Sequence, residues 1–411
     1  MKNLAVDYVG WGERWQLGTL AESGRQILFE FSPEARRQGL ELSPLRLPLS
    51  YPAAFAGEDF FLGLPGIIAD ALPDGWGMLL MDRAFSRAGR RFTDISTLDR
   101  LAFIGERAMG ALAFRPPDTV ALEPESIELA HLAADVDAVF AETVAEDALR
   151  HLLLIGGSPQ GARPKVLVDY DPATGLVSSG KANACAAPWL IKFPAHGEHR
   201  DACAVEALYA RLARHAGLDM PDAHFFDLDG RHAAFGVRRF DRQEGMRVPL
   251  LSLSALLHVD FRLPALDYEM LLRATRRLTG DEREVAKAFE RCVLNVLLHN
   301  RDDHGRNFAF RLDRDRRWRL APVFDLTFST GPGGEHQTAV AGEGHAPDRS
   351  HLLEVARRGG LDPMQANSSI DRLLEAVRSL PALAVDLPIR RRRLAELRQV
   401  LAEIWRRVER H

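Results

Sequence analysis

The sequence is poor in cysteine, and the cysteines that it has are widely spaced. Its 411 residues contain three, Cys185, Cys203 and Cys292, which form no C-x-x-C pair and are odd in number. A disulfide framework needs an even and denser set, so this scarcity predicts reduced thiols in a cytoplasmic protein.

Long apolar runs are also missing. No stretch approaches the roughly 18 apolar residues that a membrane span requires. The first 15 residues place Asp7, Glu13 and Arg14 where a secretion signal needs an apolar core. We therefore expect a protein that is neither secreted nor inserted in a membrane.

Neither sign of charge is in large excess. Lys and Arg number 53 against 57 Asp and Glu, a formal net charge of -4, which predicts no general attraction to nucleic acid. The four arginines at 390–393 begin a helix-like stretch that extends to Arg407, and a solvated helix face is the usual explanation of such a run. With 46% hydrophobic and 27% charged residues, the chain is long enough for two or three folded domains.

The pattern of residues changes along the chain and predicts four segments. Short β-like runs at 152–155, 165–168 and 189–193, and a helix at 202–216, indicate a mixed α/β lobe in the middle. The predicted segments are a β-rich N-terminal domain with a helical insert (1–117), an acidic, alanine-rich helical connector (118–150), a small mixed α/β lobe (151–245) and a mainly helical large lobe (246–411).

The densest group of polar residues lies at 300–307, directly after an amphipathic helix predicted between Asp281 and His299. It contains two carboxylates, two amides and an imidazole. In protein kinases a catalytic Asp is followed five residues later by a magnesium-binding Asn, and Asp302 and Asn307 have this spacing. A further carboxylate must bridge the metal to the phosphates, and Asp325 follows a strand-like run at a suitable place.

The preceding lobe contains a candidate nucleotide site. Lys192 lies in an otherwise apolar strand, where a buried ammonium needs an anion such as polyphosphate, and Glu206 on the next helix is its predicted ion-pair partner. The glycines of residues 156–165, between two strand-like runs, allow backbone amides to approach phosphates, although this stretch matches no standard phosphate-loop motif. Residues 238–242 follow a third apolar strand and are predicted to form a hinge that contacts adenine.

Together these motifs resemble the HipA family of bacterial serine/threonine kinases, the toxin halves of toxin-antitoxin pairs. The resemblance spans nearly the whole chain and is carried by six collinear motifs, at residues 72–77, 158–165, 191–194, 239–242, 300–307 and 321–325. It implies an α+β, protein-kinase-like two-lobed fold, with a mixed α/β small lobe and a mainly helical large lobe, preceded by a β-rich N-terminal domain.

The resemblance also implies residue roles in an ATP-dependent protein kinase. Asp302 and Lys192 are the implied catalytic residues, and Asn307 and Asp325 the ligands of Mg²⁺. Ser158 is the implied site of an autophosphorylation that silences the kinase. The implied ATP contacts are Gly157, Ser158, Gly161, Lys165, Lys192, Glu206, Phe240 and His304.

Relatives in this family phosphorylate aminoacyl-tRNA synthetases and are restrained by a helix-turn-helix antitoxin of the HipB type, so that DNA is contacted only through the antitoxin. The chain departs from the family in having Asp303 where an Arg commonly follows the catalytic Asp, and Arg238 where some relatives have an acidic residue. Asp303 is therefore expected either to alter substrate positioning or to supply an additional carboxylate.

Three other functions are compatible with parts of the pattern. A small-molecule phosphotransferase shares the same ATP machinery, and a non-enzymatic module would only sequester a partner. A metal-dependent hydrolase would use the imidazoles and carboxylates of His299, Asp302, Asp303 and His304. The hydrolase leaves Lys192 and the glycine-rich stretch without a role. A binding module has no chemical need for the kinase-like set of Lys192, Asp302, Asn307 and Asp325.

Overall fold

The computed structural model describes residues 2–118, 125–179 and 185–409. The chain forms two compact units. The first consists of Met1–Cys203 and Asp222–Leu250, and the second of Ala204–Pro221 and Leu251–His411. The division into four segments stays a prediction.

The first unit begins with a five-stranded antiparallel sheet in the order β4-β3-β2-β1-β5. Four helices are inserted before its last strand, so the β-rich N-terminal region with a helical insert is confirmed. The elements are β1 (Asn3–Tyr8), β2 (Trp15–Ser23), β3 (Gln26–Phe31), α1 (Pro33–Gln38), β4 (Phe55–Ala56), α2 (Gly66–Ala69), α3 (Gly75–Arg87), α4 (Thr97–Ile104) and β5 (Leu112–Arg115).

Two helices follow, α5 (Leu129–Phe140) and α6 (Glu146–Gly156). The β-like run predicted at 152–155 is wrong, because these residues form the end of α6. A short apolar run does not distinguish a strand from a buried helix segment. The helix begins with acidic residues in its first turn and buries Leu149, Leu152 and Ile155, which decides in its favour.

A second antiparallel sheet completes the first unit, in the order β7-β6-β8-β10-β9. The strands predicted at 165–168 and 189–193 are confirmed as β6 and β8. The glycine-rich stretch 156–165 therefore connects a helix to a strand, and not two strands as predicted. The elements are β6 (Lys165–Tyr170), β7 (Val177–Ser178), β8 (Ala187–Lys192), β9 (Ala223–Asp227), β10 (Ala233–Arg238), β11 (Arg242–Gln243) and β12 (Met246–Arg247).

The second unit is mainly helical, as predicted. Its helices are α7 (Asp201–His215, within this unit from Ala204), α8 (Leu253–Leu257), α9 (Tyr268–Thr279), α10 (Glu282–Leu297), α11 (Arg349–Arg358), α12 (Pro363–Val377), α13 (Leu380–Leu383) and α14 (Arg391–Glu409). The helices predicted at 202–216, between 281 and 299, and at 390–407 are confirmed.

Short strands complete this unit: β13 (Leu250–Ser252), β14 (Leu266–Asp267), β15 (Ala309–Leu312), β16 (Trp318–Leu320) and β17 (Thr338–Ala339). Strands β15 and β16 form an antiparallel hairpin. Helix α10 starts at an Asp281 cap, which accepts a hydrogen bond from Arg283 N, and its central residues Phe289 and Val293 are buried. None of the helices in the described parts of the chain combines the length and apolarity that crossing a membrane takes.

Candidate active site

In the second unit, the loop of residues 300–307 is held by backbone contacts at its start. His299 ends α10 with a left-handed φ of 53°, and Asn300 forms a parallel bridge with Ser329. Arg301 donates hydrogen bonds to the carbonyl oxygens of Gly334 and His345. The loop is therefore fixed against the segment 329–345, which follows it in the chain.

The two adjacent carboxylates of this loop have opposite environments. The Asp302 side chain is 46% exposed, accepts a hydrogen bond from Gln337 Nε2 at 3.0 Å and lies 3.8 Å from His304 Nε2. Asp303 is 0% exposed and accepts hydrogen bonds from Tyr268 Oη at 2.7 Å and from Gln337 N at 2.8 Å. Asp303 thus belongs to the scaffold and supplies no additional exposed carboxylate, while Asp302 faces solvent.

A buried line of side-chain hydrogen bonds supports this arrangement. Asn300 Nδ2 donates to Asn295 Oδ1 at 3.0 Å, Asn295 Nδ2 donates to Tyr268 Oη at 2.8 Å, and Tyr268 Oη donates to Asp303. Burial and the Asp303 charge raise the pKa of Tyr268 well above its usual value, so the hydroxyl stays protonated as a donor. On the far side, Asp303 Oδ2 lies 2.7 Å from His336 Nδ1.

Sequence reasoning missed Tyr268, Asn295, His336 and Gln337. One signal was available, because Asn295 is a polar residue among the buried apolar residues of α10. A buried amide there requires hydrogen-bond partners. The other three lie far from the loop in the chain, and no local pattern connects them with it.

Asn307 and Asp325 are the residues predicted to bind magnesium. Asn307 Nδ2 donates to the Asp302 carbonyl at 2.6 Å, which leaves the amide oxygen Oδ1 as the ligand atom of that side chain. Asn307 lines a small cavity of about 10 Å³ together with Asn300, Phe324 and Leu326, and the last two flank Asp325.

Two details of this region suit a hard cation. Asp325 has a left-handed φ of 55°, which is unusual for a residue other than glycine and recurs at functional sites. Among the described residues, the buried Asn300 Oδ1 has no hydrogen-bond partner. Carboxylate and amide oxygens are the ligands that Mg²⁺ prefers, so the residues present fit this ion.

The arrangement does not support the metal-dependent hydrolase. Within residues 2–118, 125–179 and 185–409, no three His, Cys, Asp or Glu side chains are grouped as metal ligands. Asp303 is engaged in the buried network, and His299 stacks on Phe328 with ring centroids 5.0 Å apart. Burial and the nearby Arg301 charge lower the pKa of His299 to about 4.

The first unit places two lysines side by side. Lys165 on β6 and Lys192 on β8 are direct partners in the antiparallel register, 3% and 6% exposed respectively. Facing residues of such a pair share one side of the sheet. The sheet therefore carries two buried lysines at facing positions. Glu206, a buried residue of α7, belongs to the second unit, and its pairing with Lys192 stays a prediction.

The glycine-rich loop between α6 and β6 is folded back on itself. Ser158 is only 4% exposed and lines a cleft of about 550 Å³ in the first unit. Lys165 Nζ donates to the Gln160 carbonyl at 2.5 Å, and Gly161 has a φ of 106° that favours glycine. The predicted contacts of Gly157, Ser158, Gly161 and Lys165 with ATP are proposals taken up below.

Residues 239–242 form a hydrogen-bonded ion-pair cluster within the first unit. Asp241 is buried and accepts hydrogen bonds from Arg239 Nε at 2.8 Å, Arg242 Nη1 at 2.6 Å and Gly110 N at 3.0 Å. Although burial opposes ionisation, the charges of Arg239 and Arg242 hold the pKa of Asp241 well below its usual range. Phe240 lies half-buried in this turn, and its predicted contact with adenine stays a prediction.

The fold of the chain is similar to that of a solved protein. Along 99% of its length the chain superposes on 97% of a chain from the Shewanella oneidensis MR-1 toxin-antitoxin complex of HipA, HipB and operator DNA, with a TM-score of 0.72 and 16% identity. The mixed α/β unit with its β-rich start and the helical unit therefore form a protein-kinase-like fold.

Comparison with known protein families identifies the family of this chain. Residues 157–380 match the HipA-like C-terminal domain, and residues 10–115 match the HipA N-terminal domain. The chain belongs to the HipA-like kinase family. It is also 27% identical over 340 residues to the putative kinase Y4mE of Sinorhizobium fredii. The aligned segment covers 77% of this chain and 72% of that protein.

Proposed function

We propose that this protein is an ATP-dependent serine/threonine protein kinase. One observation carries the proposal. Asp302 presents an exposed carboxylate on a loop whose scaffold is buried and hydrogen-bonded, and Asn307 is oriented by the backbone of the same aspartate. This is the arrangement that phosphoryl transfer needs, because positioning dominates its catalysis.

The lysine pair supports binding of a polyphosphate. Two buried positive charges at facing strand positions repel each other, and removing each from water costs free energy. A triphosphate beside Lys165 and Lys192 converts this repulsion into attraction. We infer that Lys192 contacts the phosphates and that the loop of Gly157, Ser158 and Gly161 approaches them, although the Gly161 N–H itself is bonded to Asp74.

Residues of the second unit are proposed to bind Mg²⁺ and the acceptor hydroxyl. Asn307 Oδ1 and the Asp325 carboxylate would hold Mg²⁺, which neutralises charge on the phosphates when it is bound. Asp302 orients the acceptor hydroxyl of a protein serine or threonine and accepts its proton. Gln337 Nε2, at 3.0 Å, holds that carboxylate in place. His304, beside Asp302, is a proposed contact of the nucleotide.

Replacing Asp302 by Asn tests the proposal directly. The substitution keeps the shape and the Oδ1 acceptor but removes the proton acceptor, so we expect γ-phosphate transfer to fall by about 100-fold or more. The measurement is transfer from radiolabelled ATP to a serine-rich protein and to the chain itself. Asp315→Asn, the same change on the exposed hairpin turn, is the control and should keep full activity. Transfer by Asp302→Asn at the control's rate contradicts the assignment.

We also propose self-inhibition through Ser158. Phosphorylation adds about -1.5 to -2 charges beside the proposed phosphate site, and repulsion then expels the loop or the nucleotide. Because Ser158 is buried, the loop has to open before the hydroxyl can react. Intact mass after incubation with Mg-ATP should show one added phosphate that is absent in Ser158→Ala. An unchanged mass in the active wild type removes this mechanism.

The partners follow from the family alone. We propose a translation-related protein such as an aminoacyl-tRNA synthetase as substrate, and a HipB-type antitoxin as the restraining partner, through which DNA is contacted. The related Shewanella HipA is found with HipB and operator DNA, which supports the second of these proposals. Phosphoproteomics of cells expressing the wild type against Asp302→Asn would identify the substrate.

A further inference from the structure

We propose that the motif at residues 72–77 of the N-terminal region positions the glycine-rich loop for nucleotide binding, with Asp74 and Trp76 as positioning residues. This inference rests on the proposed function, because it takes the loop at 156–165 to contact the ATP phosphates. It assigns to the N-terminal region a part in ATP binding. All the residues concerned lie in the first unit.

Asp74 makes an unusual use of its side chain. It is the N-cap residue of α3, yet it forms no side-chain cap hydrogen bond with that helix. An Asp at this position normally accepts a hydrogen bond from the first turn of its own helix. Asp74 Oδ1 instead accepts one from the backbone N–H of Gly161, in the middle of the glycine-rich loop. The Asp74 side chain therefore bonds to the loop and not to the first turn of α3.

Trp76 contacts the loop at two further points. Its backbone N–H donates to the Gly161 carbonyl at 3.2 Å, so Gly161 is held through its N–H and its C=O. The indole Nε1 donates to the Lys165 carbonyl at 3.1 Å, within the buried interior. Gln160 Nε2 adds a bond in the opposite direction, to the Leu72 carbonyl at 3.4 Å. The middle and the end of the loop are thus fixed to one short motif.

Two glycines of the motif make this approach possible. A Cβ atom added at Gly75 would lie 2.5 Å from Ala162 Cα, and one at Gly77 would lie 3.0 Å from the Gly157 carbonyl oxygen. Any side chain at Gly75 would push the loop away, because the obstacle is backbone. The motif therefore contributes two holding residues and two positions where the main chains come close.

The held loop has defined consequences for binding and for Ser158. A loop with a fixed course loses little conformational entropy when a ligand binds, so holding it strengthens ATP binding. The same contacts oppose the opening that exposes Ser158. We therefore expect loss of the contacts to weaken ATP binding and to accelerate Ser158 phosphorylation at saturating ATP.

The test uses the 411-residue chain with three substitutions. Asp74→Ala removes the acceptor for Gly161 N–H, Asp74→Asn keeps an oxygen at that place, and Asp59→Ala is a control on an exposed aspartate of the same region. Hydrogen–deuterium exchange of residues 157–165 without nucleotide reports the clamp itself. Calorimetric titration with Mg-ATP reports its effect on binding.

We expect Asp74→Ala to exchange faster across the loop and to bind Mg-ATP about tenfold more weakly, with Asp74→Asn within about twofold of the wild type. Unchanged affinity in Asp74→Ala, with a wild type that binds Mg-ATP, overturns the inference. A wild type that does not bind Mg-ATP overturns the proposed function instead, and loop exchange then still shows whether the contacts exist. If Asp74→Ala fails to fold, Trp76→Phe, which removes the indole donor together with part of a buried ring, must show the same changes in loop exchange and in affinity.

Discussion

The two loops proposed to contact ATP are held in different ways. The loop at 300–307 is supported from below by buried side chains, with Asp303 bonded to Tyr268, His336 and the backbone of Gln337. The loop at 156–165 is held from outside, by residues 72–77 of another part of the chain. A buried support makes a loop rigid, whereas a few edge contacts can be released locally. The comparison indicates that the loop at 300–307 is fixed and that the loop at 156–165 can be released.

The largest effect is expected from Asp303→Asn. The amide has the shape of the carboxylate but turns one acceptor into a donor that faces other donors. We expect the free energy of unfolding to fall by about 3 kcal/mol, and phosphoryl transfer to be lost with it. Urea unfolding measures the first, with Asp315→Asn as the control. A loss below about 1 kcal/mol would mean that the buried network does not stabilise the loop.

A pH-dependent effect is expected next, at the residue where the catalytic loop begins. The pKa of His299 is about 4 in the folded chain, below its usual 6.5, so the unfolded chain binds the proton more tightly in that interval. His299 therefore contributes stability that is present above pH 6.5 and is lost as the pH falls to about 4, up to about 3 kcal/mol.

The check is a comparison with His299→Asn, because Asn tolerates the left-handed φ at this position. Unfolding free energies of the two proteins, measured from pH 7 to pH 4, should converge as the pH falls. Parallel curves would show that His299 can be protonated in place without cost to the fold.

The smallest effect is expected at the other loop. Asp74→Ala should lower the free energy of unfolding by less than about 1 kcal/mol, because the loop can open without exposing the core. Thermal and urea unfolding beside Asp59→Ala measure it. A loss as large as that of Asp303→Asn would erase the distinction between the loops.

The site was predictable where its signal is local. The spacing of Asp302 and Asn307, the strand that carries Lys192 and the amphipathic α10 are all visible in neighbouring residues, and so is the mainly helical second unit. Local reading failed at 152–155, where four apolar residues suit a strand and a helix equally well. Only the residues further upstream, which begin α6 at Glu146, decide between them.

What stayed hidden depends on distant residues. Asp302 and Asp303 are identical in type and adjacent, and only Tyr268 and His336, far away in the chain, make one of them part of the scaffold. Asp74 accepts its hydrogen bond from Gly161, which lies 87 residues further along the chain. Long-range partners of polar groups leave no periodic pattern, so sequence alone does not assign them.

The central proposal is that the chain binds Mg-ATP and that Lys192 and Asp325 each contribute to this binding. Calorimetric titration of the folded chain with Mg-ATP tests it most directly, with Lys192→Met and Asp325→Asn as variants from the two units. We predict one site per chain, weakened about tenfold or more by either substitution, with the magnesium dependence reduced in Asp325→Asn. A chain that binds no Mg-ATP, or an affinity that either variant leaves unchanged, would contradict the account.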